Sequence, residues 1–153
     1  MGKENTIKEK NVNEVLVDDH KRIDHLFESL VIGIQDNKAL EEQQSLFHIF
    51  KMGLLRHLHW EEGVLFPVFD ELSGLVSSPT RVLRAQHTEL ESMISDIEAD
   101  MASGFDLDYL QVLAQYLAIH NENEETLLYP AIEKINDAGF QDRVSLDIKK
   151  GFK

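Results

Sequence analysis

The hydrophobic and polar positions of this chain follow the period of an α-helix along most of its length. In four segments the apolar residues recur three or four positions apart, which is typical of helices that pack together in a bundle. The four stripes are Val12, Leu16, His20, Ile23, Phe27, Leu30 and Ile34; Phe47, Phe50, Leu54, His57, Glu61, Val64 and Val68; Leu83, His87, Leu90, Ile94, Ile97 and Met101; and Leu110, Leu113, Leu117, His120, Glu124, Leu127, Ala131 and Ile135. Every stripe therefore contains a histidine where an apolar side chain is expected.

Residues that begin and end helices separate the four stripes. Asn11 with Glu14 resembles a capping pair at the start of the first helix. Pro67 and Pro130 fall within the helical pattern, where each proline removes a backbone donor and is expected to kink or end its helix. The remaining signals are a turn at 33–38, Ser73-Gly74 after the second helix, Ser78-Pro79 before the third, Gly104 with Asp106 before the fourth, and Gly139 after it.

The chain also repeats itself. Five apolar or histidine positions of the first helix match five of the third at an offset of 67, and the second and fourth helices correspond at an offset of 63. We therefore predict an all-α, up-down-up-down four-helix bundle, built as two helical hairpins related by a pseudo-twofold axis. The bundle is expected to span residues 11–139. It follows a flexible N-terminus at 1–10 and precedes a short C-terminal segment at 140–153, interpreted as a docking helix.

Composition narrows the classes of function. The 153 residues carry a formal charge of −13, which argues against nucleic acid or an anionic membrane surface as a partner. The absence of cysteine excludes disulfides, thiolate nucleophiles and Cys-ligated metals, so histidine and carboxylate are left as metal ligands. Neither a signal peptide nor an apolar run of membrane-spanning length is present, which predicts a cytoplasmic protein.

One motif occurs twice. Residues 57–67 and 120–130 both read His-x3-Glu-Glu-x2-Leu-(Phe/Tyr)-Pro. Residues four apart lie on the same helix face, so His57 points with Glu61, and His120 points with Glu124. A His-x3-acid pair alone is weak, because some are expected by chance in so acidic a chain. The shared Glu-x2-Leu-aromatic-Pro ending makes the repeat much more specific.

Six polar residues lie in the apolar stripes: His20, His57, Glu61, His87, His120 and Glu124. A buried carboxylate without a partner costs several kcal/mol, so two of them need compensating positive charge. Two metal ions would supply it. Four imidazoles, two carboxylates and no sulfur suit Fe, Mn, Zn or Co, with iron best matched to a carboxylate-bridged pair. The alternative is a metal-free bundle in which these side chains satisfy one another and water.

The chain resembles the hemerythrin-like family, also called the HHE cation-binding domain. The resemblance rests on Asp-His at 19–20, the doubled motif and Gln-His at 86–87, and it extends over residues 12–135. It implies a bundle around an oxo- or hydroxo-bridged diiron centre that binds O2, NO or peroxide. It also implies that His20 and His57 hold one iron, that His87 and His120 hold the other, and that the two glutamates bridge them.

The chain departs from the oxygen-carrying hemerythrins at two ligand positions. Those proteins have a fifth histidine where this sequence has Glu91, and an aspartate five residues after the fourth-helix histidine, where this chain has Glu124 at four. The ligand set is more similar to the hemerythrin-like domains of repair-of-iron-centres proteins. The resemblance therefore implies NO, peroxide or labile-iron chemistry more than simple O2 carriage.

Other polar residues have simpler interpretations. Asp24 and Glu91 lie one turn beyond histidines and are candidates for a further ligand or for a hydrogen bond to an imidazole N–H. Glu62 and Glu125 are expected on solvated faces, because neighbouring residues point about 100° apart on a helix. Ordinary surface positions are expected for His25, His48 and His59.

Two functional hypotheses follow from the sequence. The first is a diiron protein that senses, carries or detoxifies a small diatomic or peroxide ligand. The second is a diiron enzyme for NO or peroxide, or an iron donor in Fe–S centre repair. The same ligands serve both hypotheses, so the sequence leaves catalysis and the protein partner open.

Overall fold

The computed structural model describes residues 11–135, 139–140 and 143–144. Its helices are α1 (Val12–Gln35), α2 (Leu40–Trp60), α3 (Phe66–Ser73), α4 (Thr80–Asp100), α5 (Leu107–Asn123) and α6 (Tyr129–Ile135). A π-helical turn at Glu61–Leu65 joins α2 to α3, and a second at Glu124–Leu128 joins α5 to α6. Within these residues the fold is therefore all-helical, with four segments: α1, α2–α3, α4 and α5–α6. The N-terminus predicted to be flexible, 1–10, lies outside the described residues.

Helix termini carry the predicted signals. The side chain of Asn11 accepts a hydrogen bond from the Glu14 backbone N–H at 2.9 Å, which caps α1. Gly74 ends α3 with a φ of 61°, a left-handed conformation that glycine adopts without steric cost. Asp106 caps α5 by accepting from two backbone N–H groups. Gly139 is itself helical, and the preceding residues 136–138 lie outside the described part, so the structure describes the fourth segment as far as Ile135.

The buried apolar residues form two clusters, one on each side of the six polar stripe residues. The first includes Leu16, Leu65, Phe66, Phe69, Leu83, Leu128, Tyr129 and Ile132. The second includes Ile23, Leu30, Phe47, Phe50, Leu54, Leu90, Leu113 and Leu117. Along every helical segment the polar position falls between these two sets. The polar residues thus form a band between the two apolar clusters.

The two π-helical turns change which residues face the core. Beyond Glu61 the stripe was predicted to continue through Val64 and Val68, and beyond Glu124 through Leu127, Ala131 and Ile135. Instead the fully buried residues are Leu65, Phe66, Phe69, Leu128 and Ile132, while Leu127 is 54% exposed. A π-turn inserts one extra residue into the helix, so every later side chain moves one position along. The predicted stripe was therefore wrong at Leu127. At the other predicted positions Val68 is buried, whereas Val64, Ala131 and Ile135 are only partly buried against the first cluster.

Each proline lies two residues after the end of its π-turn. Neither proline ends its helix, since α3 and α6 continue through Pro67 and Pro130. A proline cannot donate to the carbonyl four residues earlier, and its ring would clash with that carbonyl in a regular α-helix. The wider turn instead carries the hydrogen bond from the Phe66 N–H to the Glu61 carbonyl, five residues back. The equivalent bond joins Tyr129 to Glu124.

Part of the C-terminal segment packs on the bundle. Phe140 and Val144 are buried in the first apolar cluster. That residues 140–153 form a docking helix stays a prediction, because most of them lie outside the described residues. Among the helices of the described ranges, none combines the length and the apolar character needed to cross a bilayer.

Candidate metal centre

The six predicted residues converge from all four helical segments. His20 lies on α1, His57 on α2, His87 on α4 and His120 on α5, while each glutamate is the first residue of a π-turn. All six side chains are buried, with relative exposures of 4% for His20 and 1% or less for the other five. Fully buried imidazoles and carboxylates are rare unless they are paired or hold a metal.

Glu124 lies at the middle of the group. Its Oε1 is 2.5 Å from His120 Nε2 and 3.6 Å from His87 Nε2. Its Oε2 is 3.3 Å from His20 Nε2 and 3.9 Å from His57 Nε2. The two oxygens of one carboxylate therefore face two different pairs of histidines, which is the arrangement a bridging ligand needs.

Glu61 also lies between the two pairs. Its Oε1 is 3.2 Å from His57 Nε2 and 3.4 Å from His87 Nε2. Two overlapping groups of ligand atoms result, one of Glu61, His87, His120 and Glu124, and one of His20, His57 and Glu124. In each group the ligand atoms lie within 4.8 Å of one another.

The donor set and its spacing fit metal ions. Metal–ligand bonds of about 2.1 Å at right angles place neighbouring ligand atoms about 3 Å apart, close to most of these separations. Both carboxylate oxygens of Glu61 and the Nε2 atoms of His87 and His120 are buried and make no hydrogen bond within the described residues. Groups of this kind are costly to bury unless something else binds them. Nitrogen and oxygen donors without sulfur suit iron, manganese, zinc or cobalt.

The far side of each imidazole is held by a hydrogen-bonding side chain. His57 Nδ1 lies 2.7 Å from Asp19 Oδ2, and the other oxygen of Asp19 accepts from Arg22 Nε at 2.7 Å. An acceptor at Nδ1 keeps the proton on that nitrogen, so that the Nε2 lone pair faces the site. This arrangement is typical of histidines that bind metals.

The other three histidines have equivalent partners. His120 Nδ1 lies 2.8 Å from Gln86 Oε1. The remaining partners are Glu62 Oε1, 3.2 Å from His87 Nδ1, and Glu125 Oε1, 3.3 Å from His20 Nδ1. Each contact crosses from one helical segment to another.

These contacts correct one expectation. Glu62 and Glu125 were expected on solvated faces, and their side chains are indeed 36% and 39% exposed. Each nevertheless reaches a histidine on another helix. The sequence signal that could have revealed them is the second glutamate of the repeated His-x3-Glu-Glu motif.

The carboxylates and histidines shift one another's pKa values. Burial alone would lower the pKa of His87, but the nearby carboxylates of Glu124 and Glu61 raise it to about 9. Burial likewise opposes protonation of His57, yet the charge of Glu61 and the contact with Asp19 raise its pKa well above the ordinary value. Burial would raise the pKa of Glu124, but its contacts with the four histidines bring it well below. Without metal, His57 and His87 are therefore protonated more readily than an ordinary histidine.

The two halves of the site also differ at Tyr129. The Tyr129 hydroxyl donates to Glu124 Oε2 at 2.8 Å and lies 3.4 Å from His20 Nε2. The residue 63 positions earlier is Phe66, whose ring stacks on His87 at 5.3 Å between centroids. The half containing His20 thus has a hydroxyl donor where the other half is apolar.

The remaining candidate residues lie apart from the ligand groups. Asp24 is exposed, and Glu91 pairs with His59 at 2.7 Å on the surface. Neither joins a ligand group within the described residues, so the expectation of a further ligand at these positions is not supported. His25, His48 and His59 are all exposed, as predicted.

Comparison with known proteins gives one match. The family model described as the Hemerythrin HHE cation binding domain matches residues 11–132. No curated protein and no solved structure matches the chain. The matched range includes all six buried polar residues and both π-turns, and the family description indicates that the cluster is a candidate cation site.

Proposed function

The chain belongs to the hemerythrin HHE cation-binding family, and on this premise we propose that its six buried ligands hold two iron ions. The proposed centre is an oxo- or hydroxo-bridged diiron pair that binds or reacts with O2, NO or peroxide. In this assignment His20 and His57 hold one iron, and His87 and His120 hold the other. Glu61 and Glu124 bridge the pair.

The observation that carries this proposal is the position of Glu124 between the two pairs of histidines. Its Oε1 faces His87 and His120, whereas its Oε2 faces His20 and His57. A single metal ion could not use both oxygens toward imidazoles on opposite sides. Two ions joined by the carboxylate would use every buried donor and would offset the charge of the two glutamates.

Bound iron would supply redox chemistry and coordination positions for a small ligand. The chain's own residues orient the ligands and exclude water. The partners at Nδ1 fix the tautomers of the four imidazoles, and the two apolar clusters enclose the polar band. Tyr129 adds a hydroxyl donor beside Glu124 and His20, where it can hydrogen-bond to a polar ligand.

Two further expectations belong to this proposal. We propose that the four helical segments run up-down-up-down with a pseudo-twofold relation between the hairpins. The paired contacts of Asp19 with His57 and of Gln86 with His120 support it, because they recur at the two sequence offsets. Cytoplasmic location stays a prediction, which fractionation of native cells would test.

The function is tested by ligand reactions of iron-loaded protein. Protein loaded anaerobically with Fe²⁺ is mixed with NO or with O2, and optical spectra are recorded by stopped flow. We expect NO to bind readily and O2 to oxidise the centre without a long-lived adduct. Repeated consumption of NO or peroxide with a reductant present would identify an enzyme. A stable, reversible O2 adduct would identify a carrier, and no reaction with any of the three ligands would overturn the proposal.

The matched control uses two histidines on the same helix. His57→Ala removes a proposed ligand and is expected to abolish the spectral changes. His59→Ala alters an exposed residue two positions away and is expected to preserve them. Equal effects of the two substitutions would contradict the assignment of His57.

A further inference from the structure

A surface cavity of about 550 Å³ opens beside the proposed centre. Its lining includes Asn13, Glu14, Asp18, Glu125, Tyr129 and Glu133, and we call it the acidic vestibule. Four of these side chains are carboxylates, and all four are exposed. No basic residue is found among the described residues that line it. The vestibule is therefore a region of concentrated negative potential on the surface.

A buried amide marks the wall of the vestibule. Asn13 is 7% exposed, and its Nδ2 donates to the Tyr129 carbonyl oxygen at 3.1 Å. Its Oδ1 has no hydrogen-bond partner among the residues that the structure describes. An amide oxygen held by a fixed donor bond, buried and otherwise unbound, is an oxygen ligand available to a cation.

The vestibule is connected to the centre through two of its own lining residues. Tyr129 lines the cavity, and its hydroxyl donates a hydrogen bond to Glu124. Glu125 also lines the cavity and lies 3.3 Å from His20 Nδ1. Tyr129 and Glu125 therefore both line the cavity and contact the proposed ligands.

We propose that the acidic vestibule is the port through which divalent iron enters the centre, and that it binds the cation weakly on the way. Glu14, Asp18 and Glu133 attract the ion, Asn13 Oδ1 and Glu125 receive it, and a side-chain rotation of Tyr129 admits it to Glu124 and His20. Carboxylate and amide oxygens suit a hydrated divalent cation, which exchanges these ligands readily. This proposal rests on the diiron centre proposed above.

The test measures the rate of iron loading. Metal-free full-length protein is mixed anaerobically with ferrous sulfate, and a colorimetric Fe²⁺ chelator added at set times reports the iron still unbound. The test variant carries Glu14→Gln, Asp18→Asn and Glu133→Gln. We expect it to load at least about tenfold more slowly at low ionic strength, because it lacks the steering charges. Final iron content should be unchanged, since none of the three residues is a proposed ligand.

The control variant loses the same charge elsewhere. Glu41→Gln, Glu42→Gln and Asp100→Asn remove three carboxylates that line other surface cavities. This variant should load within about twofold of the parent protein, and the difference between the two variants should shrink at high salt because exposed charges are screened. Equal loading rates in the two variants would overturn the proposal that iron enters through the acidic vestibule.

A second measurement detects the cation in the vestibule itself. Protein with its centre already filled with iron is titrated with Mn²⁺, and the loss of the free Mn²⁺ signal in electron paramagnetic resonance reports binding. We expect one weak site that is lost in the Glu14/Asp18/Glu133 variant and kept in the control. Absence of such a site in the iron-loaded parent would contradict the port, whereas failure to hold iron at all would contradict the diiron centre.

Discussion

Removing metal should make the stability of this protein depend on pH in a defined direction. His87 has a folded-state pKa of about 9, because the nearby carboxylates of Glu124 and Glu61 outweigh the effect of its burial. In the unfolded chain a histidine titrates near 6.5. A group whose folded pKa is the higher one adds stability that is fully present below the unfolded pKa. That stability is lost as the pH rises through the folded pKa.

The size of this pH-dependent stability follows from the difference between the folded and unfolded pKa values. At about 1.4 kcal/mol per pKa unit, the difference between 6.5 and about 9 gives on the order of 3 kcal/mol for His87 alone. The pKa of His57 is raised as well, so it acts in the same direction. The lowered pKa of Glu124 adds stability that is present above about 4.5 and lost as the pH falls through its folded value.

The assay is urea unfolding of chelator-treated protein, followed by circular dichroism between pH 6 and pH 10. The free energy of unfolding should fall by a few kcal/mol across this range. His87→Asn should flatten the slope, whereas His48→Asn, at an exposed position, should preserve it. Metal requires neutral histidines, so iron binding should release protons and tighten as the pH rises. An unfolding free energy that is constant or increases from pH 6.5 to pH 9 would refute the reasoning.

Three further predictions concern single residues. His57→Ala should strongly lower the iron content measured by metal analysis, whereas His59→Ala should leave it unchanged. A comparable loss of iron in both variants would show that the assignment of His57 to the buried face of the helix is wrong. Asp19→Asn should weaken metal affinity about 10- to 100-fold, because His57 loses its carboxylate partner. Competition with a chelator measures the affinity, and an affinity equal to that of the parent protein would contradict the prediction. Leu128→Ala should lower the free energy of unfolding by about 2–5 kcal/mol, and Leu127→Ala by less than about 0.5 kcal/mol, because the π-turn buries Leu128 and exposes Leu127. Equal losses for the two variants in urea unfolding would contradict the presence of the π-turn.

The six polar stripe residues could be predicted because the helical period of the apolar positions identifies the buried face of each helix. His20 and His87 occupy positions where the pattern calls for apolar side chains, and the structure buries both. The convergence of four segments then follows from packing all four stripes on a common core. Helix starts and ends at Asn11, Gly74 and Asp106 were also predictable, since they depend on neighbouring residues alone.

The π-turns could not be predicted from a stripe that assumes 3.6 residues per turn. Pro67 and Pro130 indicated a local disturbance, but a widened turn, a kink and a helix end all relieve the same clash. The partners of the histidines depend on contacts between helices. Asp19 is adjacent to His20 in the sequence but binds His57, and only the packing of α1 on α2 shows this.

The most direct test of the diiron proposal is the metal content of the protein as purified from iron-replete cells, without added metal. Iron content from elemental analysis, divided by protein concentration from amino-acid analysis, should give about two iron atoms per chain. Six ligands in two overlapping groups are too many for one ion that keeps exchangeable coordination positions. One metal ion per chain, or none in a bundle that is fully stable, would contradict the dinuclear centre.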